Sequence, residues 1–333
     1  MRWVIRLNLK DQVLETLENN KGRFVSGNEL AGKLFVSRNA VWKAVGALKA
    51  DGHEIASVTN RGYCLKADSD ILSKAGIEKY LGASGGSYSI DVYKELASTN
   101  ALLKKMAASG AVEGTVVIAD AQTGGRGRFG RTFFSPAGTG VYFSLLLRPK
   151  FKAQEATMVT AAASVAVAEA IEAATGVEAR IKWVNDVYCR GKKVCGILTE
   201  GAFDMESGGM EYVVLGIGVN VAPPEGGFPP ELALRAGAIY EEAPATETRS
   251  RLIAEILKSF RIYYSNLTEK PFIGEYQNRS FLVGMEIDVL AGESVRRARA
   301  MAVDDGCRLI VRYEDGTEEA LSSGEVSVRV SIN

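Results

Sequence analysis

Three short apolar stripes at helical spacing, the second and third opened by capping groups and the set followed by a hairpin, restrict residues 1–66 to very few folds. Leu9, Val13, Leu14 and Leu17 recur at the spacing of one helix face over residues 8–19. After Lys21-Gly22, Ser26-Gly-Asn-Glu29 forms a capping box, in which hydroxyl and carboxylate satisfy amides at the start of a helix reaching about Leu34. Ser37 can cap a third helix, whose stripe is Val41, Val45 and Leu48 and whose end is Asp51-Gly52. EIASVTNRGYCL then gives two short strands around Asn60-Arg61-Gly62. Three helices and a hairpin predict a winged helix-turn-helix, with a small helical packing module as the alternative.

Charge decides between the two. The whole chain carries 40 Lys plus Arg and 40 Asp plus Glu, which argues against a nucleic-acid coat or a polybasic membrane binder. That zero is a cancellation. Residues 1–66 hold eleven bases against six acids, and the remaining 267 residues hold 29 against 34. A head at +5 suits a phosphate backbone. Ser37, Arg38, Asn39 and Lys43 on the third helix, with Arg61 in the hairpin turn, are its candidate DNA contacts. Trp42 is expected in core or wing packing, and His53, the single histidine, as a cap or surface residue.

With 47% apolar and 24% charged residues, the chain can fill real cores and is not a disordered polymer. MRWVIRLNLKDQVLETL has neither the apolar run nor the cleavage site of a signal peptide. No stretch is expected to reach the apolar length of a membrane span, residues 156–171 being interrupted by Thr, Ser and Glu. Cys64, Cys189, Cys195 and Cys307 lack metal-like spacing, and Cys189 and Cys195 are expected to pack as small apolar groups. These features predict a cytoplasmic protein with reduced thiols and no membrane partner.

Beyond the head, YSIDVYKEL, TVVIADAQ and GVYFSLLLRP read as strands, with ALLKKMAASG a helix between the first two. A long Ala-rich helix over 154–175 ends at Gly176. Strands return at ARIKWV, VCGILTEGAF and MEYVVLGIGVNVA, the last two joined by a Gly-rich link at 207–209. Residues 223–230 read as a loop and 249–267 as an amphipathic helix. From Ser280 the chain is all short strands with turns at Gly284, Gly292, Asp305-Gly306 and Asp315-Gly316, a small β-barrel. The prediction is a multidomain α+β protein: head 1–66, a central α/β-sheet domain 67–279 and a barrel 280–333.

Chemistry concentrates in three places. Gly124-Gly125-Arg126-Gly127-Arg128-Phe129-Gly130-Arg131 joins a backbone free to curl with guanidinium forks that match phosphate or carboxylate. Such a loop can order around an anion, and its alternative is an Arg-Gly linker touching RNA. Lys182-Trp183-Val184-Asn185-Asp186-Val187-Tyr188, followed by Arg190 to Glu200, gathers cations, a carboxylate and an amide, the types that nucleotide handling needs. Alone it reads as an ordinary charged hairpin. Gly216-Ile-Gly218-Val-Asn220 places glycines in a strand, where something must approach the backbone closely. It is not a dinucleotide fingerprint, because no helix follows.

Taken together, Ser98-Thr99-Asn100, Gln122 before GRGRFGR, KWVNDVY with GKKVCGIL, and GIGVN resemble the biotin–protein ligases in order and spacing over about residues 88–221. The basic head and a strand-rich tail ending in Gly324-Glu325-Val-Ser-Val-Arg extend the resemblance to the bifunctional ligase and biotin operon repressor, the BirA type. The resemblance implies a C-terminal barrel of SH3-like form. It implies formation of biotinyl-5′-AMP from biotin and ATP, with Mg²⁺, and transfer of biotin to a lysine of the acceptor domain of a biotin-dependent carboxylase such as acetyl-CoA carboxylase. Operator DNA and a ligand-promoted homodimer are its other implied partners.

Carried over by motif, Ser98, Thr99, Asn100 and Gln122 would hold the biotin head, with Gly125, Arg126, Gly127, Arg128, Lys193 and Gly196 completing the biotin site. Arg128, Arg131, Asn185 and Asn220 would serve ATP. Lys193, Arg126 and Asp186 would be catalytic, and no metal ligands are assigned. Four positions depart from the family: Val184 replaces a Pro, Phe129 a commonly basic residue, Phe133 an aromatic that is often Trp, and Phe35 a Gly in the helix-turn-helix turn. If that turn needs positive φ, Phe35 costs about 1 kcal/mol or more and weakens repression rather than ligation. The alternatives are a ligase whose head no longer represses, a lipoate-type ligase, and a regulator that only senses ligand.

Overall fold

The computed structural model describes residues 8–149, 156–203, 209–244, 247–291, 294–322 and 326–330. Two compact units emerge, one of residues 1–85 with 244–254, the other of 86–243 with 255–333. The link at 207–208, the turn at Gly292 and the pair Gly324-Glu325 lie outside the described residues.

In the first unit the caps act as the sequence requires. Asn8, Ser26 and Ser37 accept from the amides of Asp11, Glu29 and Ala40, opening α1 (Leu9–Asn19), α2 (Gly27–Leu34) and α3 (Arg38–Ala50). Val13, Leu17, Leu30, Val41, Val45 and Leu48 close a common core. β1 (Ile55–Val58) and β2 (Gly62–Leu65) form the wing, and Val25 bridges to Tyr63 as a third short partner. Gly62 sits at φ +101°, where a Cβ would strike the Val25 carbonyl, so only glycine fits. Phe35 ends α2 in the left-handed region at φ 55°. The turn keeps its shape with a residue for which that conformation costs about 1–2 kcal/mol.

Two expectations are corrected here. Trp42 does not pack inward: it is 63% exposed. The α3 stripe of Val41, Ala44, Val45 and Leu48 fills the buried face and leaves position 42 on the opposite side. His53 does cap α3, its amide donating to the Leu48 carbonyl, but it is buried rather than on the surface. The sequence pattern also missed α4 (Lys74–Leu81), capped by Ser73.

The second unit is built on a seven-stranded sheet. Its strands are β3 (Ser89–Leu96), β4 (Thr115–Gln122), β5 (Gly140–Leu147), β6 (Arg180–Lys182), β7 (Asp186–Cys189), β8 (Lys192–Phe203) and β9 (Met210–Asn220), in the order β3-β4-β5-β9-β8-β7-β6. Only β3 and β4 run parallel, joined by α5 (Thr99–Ala108); every other pairing is antiparallel. β5 is buried along its whole length, as a central strand covered on both faces must be.

α6 (Ala156–Thr175) corrects a third expectation, because by length and composition it is apolar enough to cross a membrane. It is also a core helix, 72% of that apolar window being buried inside the fold. α7 (Pro230–Ala233) follows directly on the loop expected at 223–230. α8 (Thr248–Ser265) and α9 (Ile273–Arg279) complete the helices, the last unforeseen in the sequence. β10 (Glu286–Ala291), β11 (Ser294–Val303), β12 (Leu309–Tyr313), β13 (Glu318–Leu321) and β14 (Val326–Val330) form an antiparallel sheet in the order β13-β12-β11-β10-β14. Within this unit the Trp183 indole donates to the Cys307 carbonyl at 2.9 Å and Tyr276 to the Val184 carbonyl at 3.0 Å. The segment that precedes the Asn185-Asp186 pair is thereby tied to both α9 and the β11–β12 turn.

Candidate active site

A cavity of about 310 Å³ opens over the ends of β4, β8 and β9, and its wall gathers residues from all three sequence motifs. Its two ends differ in chemistry. At one end Ser98 caps α5, so the helix start brings Thr99 and Asn100 against the sheet. All three are buried. The Gln122 carbonyl oxygen accepts from both the amide and the hydroxyl of Thr99, at 2.9 and 3.2 Å, while its Nε2 donates to Ser135 at 3.0 Å. Asn100 donates to Glu200 at 2.8 Å and to the Leu198 carbonyl at 3.3 Å, and accepts from Ser144 at 2.5 Å. Burial raises the Glu200 carboxyl, but hydrogen bonds from Lys104 and Asn100 outweigh it and hold the group below its usual range. The wall residues of this end are polar and uncharged, braced from behind by the Lys104–Glu200 pair.

The glycines make that bracing possible. A Cβ on Gly216 would collide with the Asn100 carboxamide. Gly196 and Gly218 face each other across β8 and β9, and a Cβ on Gly218 would meet the Phe133 ring at 2.5 Å. Phe133 therefore rests on a glycine floor, edge-on to Tyr142. Gly125 is not on the cavity wall. It lets the Phe133 carbonyl and Ser135 hydroxyl come close behind the loop.

The other end carries Arg128, Arg131, Lys182, Lys193 and Arg235 with Asp186, the one wall carboxylate among the described residues, while the Arg126 charge acts on Glu200. The loop is a compact turn: the Gly127 amide donates to the Arg131 carbonyl at 2.7 Å and the Phe133 amide to Gly125 at 2.9 Å. Phe129 sits at φ 56° in its tip, with the Arg128 guanidinium 4.8 Å from its ring centroid. Arg128 also donates to the Asn185 carboxamide at 3.4 Å, and burial lowers its pKa. Lys193 pairs with Asp186 at 2.5 Å. Burial is the main cause that lowers the Lys182 ammonium pKa; Asp186 opposes it, and Lys193, Arg131 and Arg235 add to it.

Asn185 donates to the Ile197 carbonyl at 2.7 Å and Asn220 to the Gly237 carbonyl at 2.9 Å, so both carboxamides are oriented on the wall. The segment 235–237 lies beside Lys193 through a parallel bridge, Lys193 donating its amide to Arg235 at 2.9 Å and accepting from Gly237 at 2.9 Å. Of the predicted site residues only Gly125 and the DNA set fall outside the cavity wall. Sequence reasoning missed Lys182 as a site residue, together with Arg235, Ser144 and Glu200. Lys182 stood visible inside its motif, but Arg235 follows a short helix with no local signal. Cys189 and Cys195 are buried, and burial pushes the Cys189 thiol up to about 11, so neither is a nucleophile. The DNA candidates lie in the first unit: Arg38, Asn39 and Lys43 exposed on α3, and Arg61 stacked 4.2 Å from the Phe24 ring centroid.

A neutral pocket joined to a cationic one, on an α+β sheet with a helix-turn-helix in the same chain, defines a class: a ligase that activates a small carboxylic acid on a nucleotide. Residues 92–220 match the model of the biotin/lipoate A/B protein ligase family, residues 10–64 a helix-turn-helix model and residues 283–329 the C-terminal domain model of biotin protein ligases. The bifunctional ligase/repressor BirA of Bacillus subtilis is 31% identical over 96% of this chain and 98% of its own length. The Escherichia coli BirA is 27% identical over 92% and 94%. A biotin protein ligase from Aquifex aeolicus, solved with biotin and ATP, aligns at a TM-score of 0.60 with 30% identity over 73% of this chain and 99% of that one. The chain belongs to the biotin–protein ligase family, in its bifunctional ligase/repressor branch.

Proposed function

We infer that the chain joins biotin to ATP, giving biotinyl-5′-AMP and pyrophosphate, and then transfers the biotinyl group to a lysine of a carboxylase acceptor domain. The observation that carries the reading is the division of one cavity into a braced neutral end and a cationic end. In the first step a carboxylate oxygen attacks the α-phosphorus and the bond to pyrophosphate breaks. Two anions must meet, so Lys193, Arg126 and Arg128 act by neutralising charge that grows in the transition state. Asp186 keeps the Lys193 ammonium directed into the cavity, and the remaining rate gain comes from holding both substrates in register. In the second step a neutral lysine amine attacks the mixed anhydride and AMP leaves. Asp186 is the wall carboxylate that can take the amine's proton.

For Mg²⁺ the donor set fits an ion carried in on the triphosphate. Asp186 alone would touch it, and no cluster of three His, Cys, Asp or Glu exists among the described residues. The ion would screen charge on the leaving pyrophosphate. Arg128 and Arg131 with Asn185 and Asn220 serve the nucleotide; Ser98, Thr99, Asn100 and Gln122 serve the biotin head. The functional parts are 1–66, 67–279 and 280–333. The head binds operator DNA as a ligand-promoted homodimer in the cytoplasm, through Ser37, Arg38, Asn39, Lys43 and Arg61.

Biotin-dependent exchange of pyrophosphate into ATP tests the enzyme, with lipoate as control. Exchange with biotin alone supports the reading, and exchange with lipoate alone replaces it by a lipoate-type ligase. A gel shift that needs biotin and ATP tests the repressor.

A further inference from the structure

Trp42 lies in the middle of the outward face of α3. Arg38 stands one turn before it and Gly46 one turn after, the i, i+4 spacing that lines side chains along a single helix face. Asn39 and Lys43 flank that row, exposed. Arg38 and Lys43 make no ion pair among the described residues, so their charge is available to a partner. A Cβ on Gly46 would meet nothing within 4 Å, so the helix backbone is uncovered there and can lie close to a surface. Phe35, 95% exposed in the turn that leads into α3, adds a second uncovered ring at the same end.

We propose that Trp42 reads thymine in the operator, its indole packing on the C5-methyl group in the major groove. The argument rests on the DNA-binding reading above. The major groove admits a helix, and thymine alone among the bases offers it a methyl group. Contacts to phosphates carry no sequence information, and for an apolar group at the centre of a face lying in the major groove the apolar partner among base edges is the thymine methyl. A net-basic unit whose exposed tryptophan is bracketed by Arg38 and Lys43 fits a polyanion better than the apolar face of a second copy. The indole is rigid and large, so its contact adds selectivity at small cost in side-chain entropy.

The test uses the full-length chain with biotin, ATP and Mg²⁺, and a duplex selected by that chain from a random library. Each thymine of the selected duplex is replaced in turn by deoxyuridine, which removes only the methyl. The wild type should lose about three- to fivefold in affinity at one or two positions per half-site, the worth of one buried methyl group. Trp42→Ala should bind the thymine and deoxyuridine duplexes equally, and Trp42→Phe should keep part of the difference. Circular dichroism checks that the variants are folded. Full thymine preference in Trp42→Ala, no sensitive position in the wild type, or an effect of Trp42→Ala on self-association without any on base preference would each overturn the proposal. Failure of the wild type to select any duplex would remove the DNA-binding reading and this inference with it.

Discussion

The two ends of the cavity are prepared for their ligands in opposite ways. At the biotin end every polar group already has a partner: Thr99 and Ser135 on Gln122, Glu200 and Ser144 on Asn100. At the nucleotide end the cations Arg131 and Lys182 make no ion pair among the described residues, and Asp186 pairs with Lys193. A buried polar network is cheap to keep only when fully satisfied, so that end must be built in advance. Clustered cations repel one another, and burial already disfavours the Lys182 and Arg128 charges, so the other end is completed by the anion it binds. The difference separates binding from catalysis: one end selects, the other stabilises charge that appears during reaction.

Substitutions should therefore split kinetically. Lys193→Ala should lower kcat of biotin-dependent exchange by roughly 10²–10³-fold, the usual effect of removing one transition-state charge, with biotin affinity nearly kept. Asn100→Ala strips partners from Glu200, Ser144 and the Leu198 carbonyl. It should raise the biotin KM by about ten- to a hundredfold, the cost of stranding buried polar groups, while kcat changes little. An unchanged biotin KM would break the comparison.

The Lys182 ammonium titrates below its ordinary 10.5 because burial disfavours its charge. Its positive charge is present below that lowered value and lost as pH rises through it. The kcat/KM for ATP should then fall on the alkaline side at a lower pH than an ordinary lysine would give, and Lys182→Arg should move that limb upward. Linkage gives the matching sign for stability. Between the lowered value and 10.5 the unfolded chain holds more protons, so stability rises with pH across that window. The smallest effect belongs to Glu200→Gln. It loses a part-exposed pair with Lys104 at 2.6 Å but keeps an acceptor for Asn100, so the biotin KM should rise only a few-fold.

Much of this was legible in the sequence because it is local. Caps at Ser26 and Ser37, the Asn60-Arg61-Gly62 turn and the apolar runs of β4 and β5 depend on near neighbours. So did the motif residues, whose types announce charge and hydrogen bonding. What the sequence hid is long-range. Arg235 reaches the site because residues 235–237 pair with Lys193, 43 positions earlier in the case of Ala236. Glu200 matters because the Asn100 and Lys104 side chains of α5 reach it across about a hundred positions of sequence, and Trp42 turned outward because Val41, Ala44 and Val45 claimed the core. The left-handed residue at Phe35 was foreseeable as a demand of the turn, though not that phenylalanine would meet it.

Amide hydrogen exchange over the two ends tests the central contrast most directly. Residues 98–108 and 124–134 are followed in the free protein, with biotin alone, and with biotin and ATP. The account predicts that 98–108 is protected from the start and changes little, whereas 124–134 exchanges fast in the free protein and slows strongly once both substrates are present. Equal protection of both segments before ligand, or slowing confined to 98–108, would contradict it.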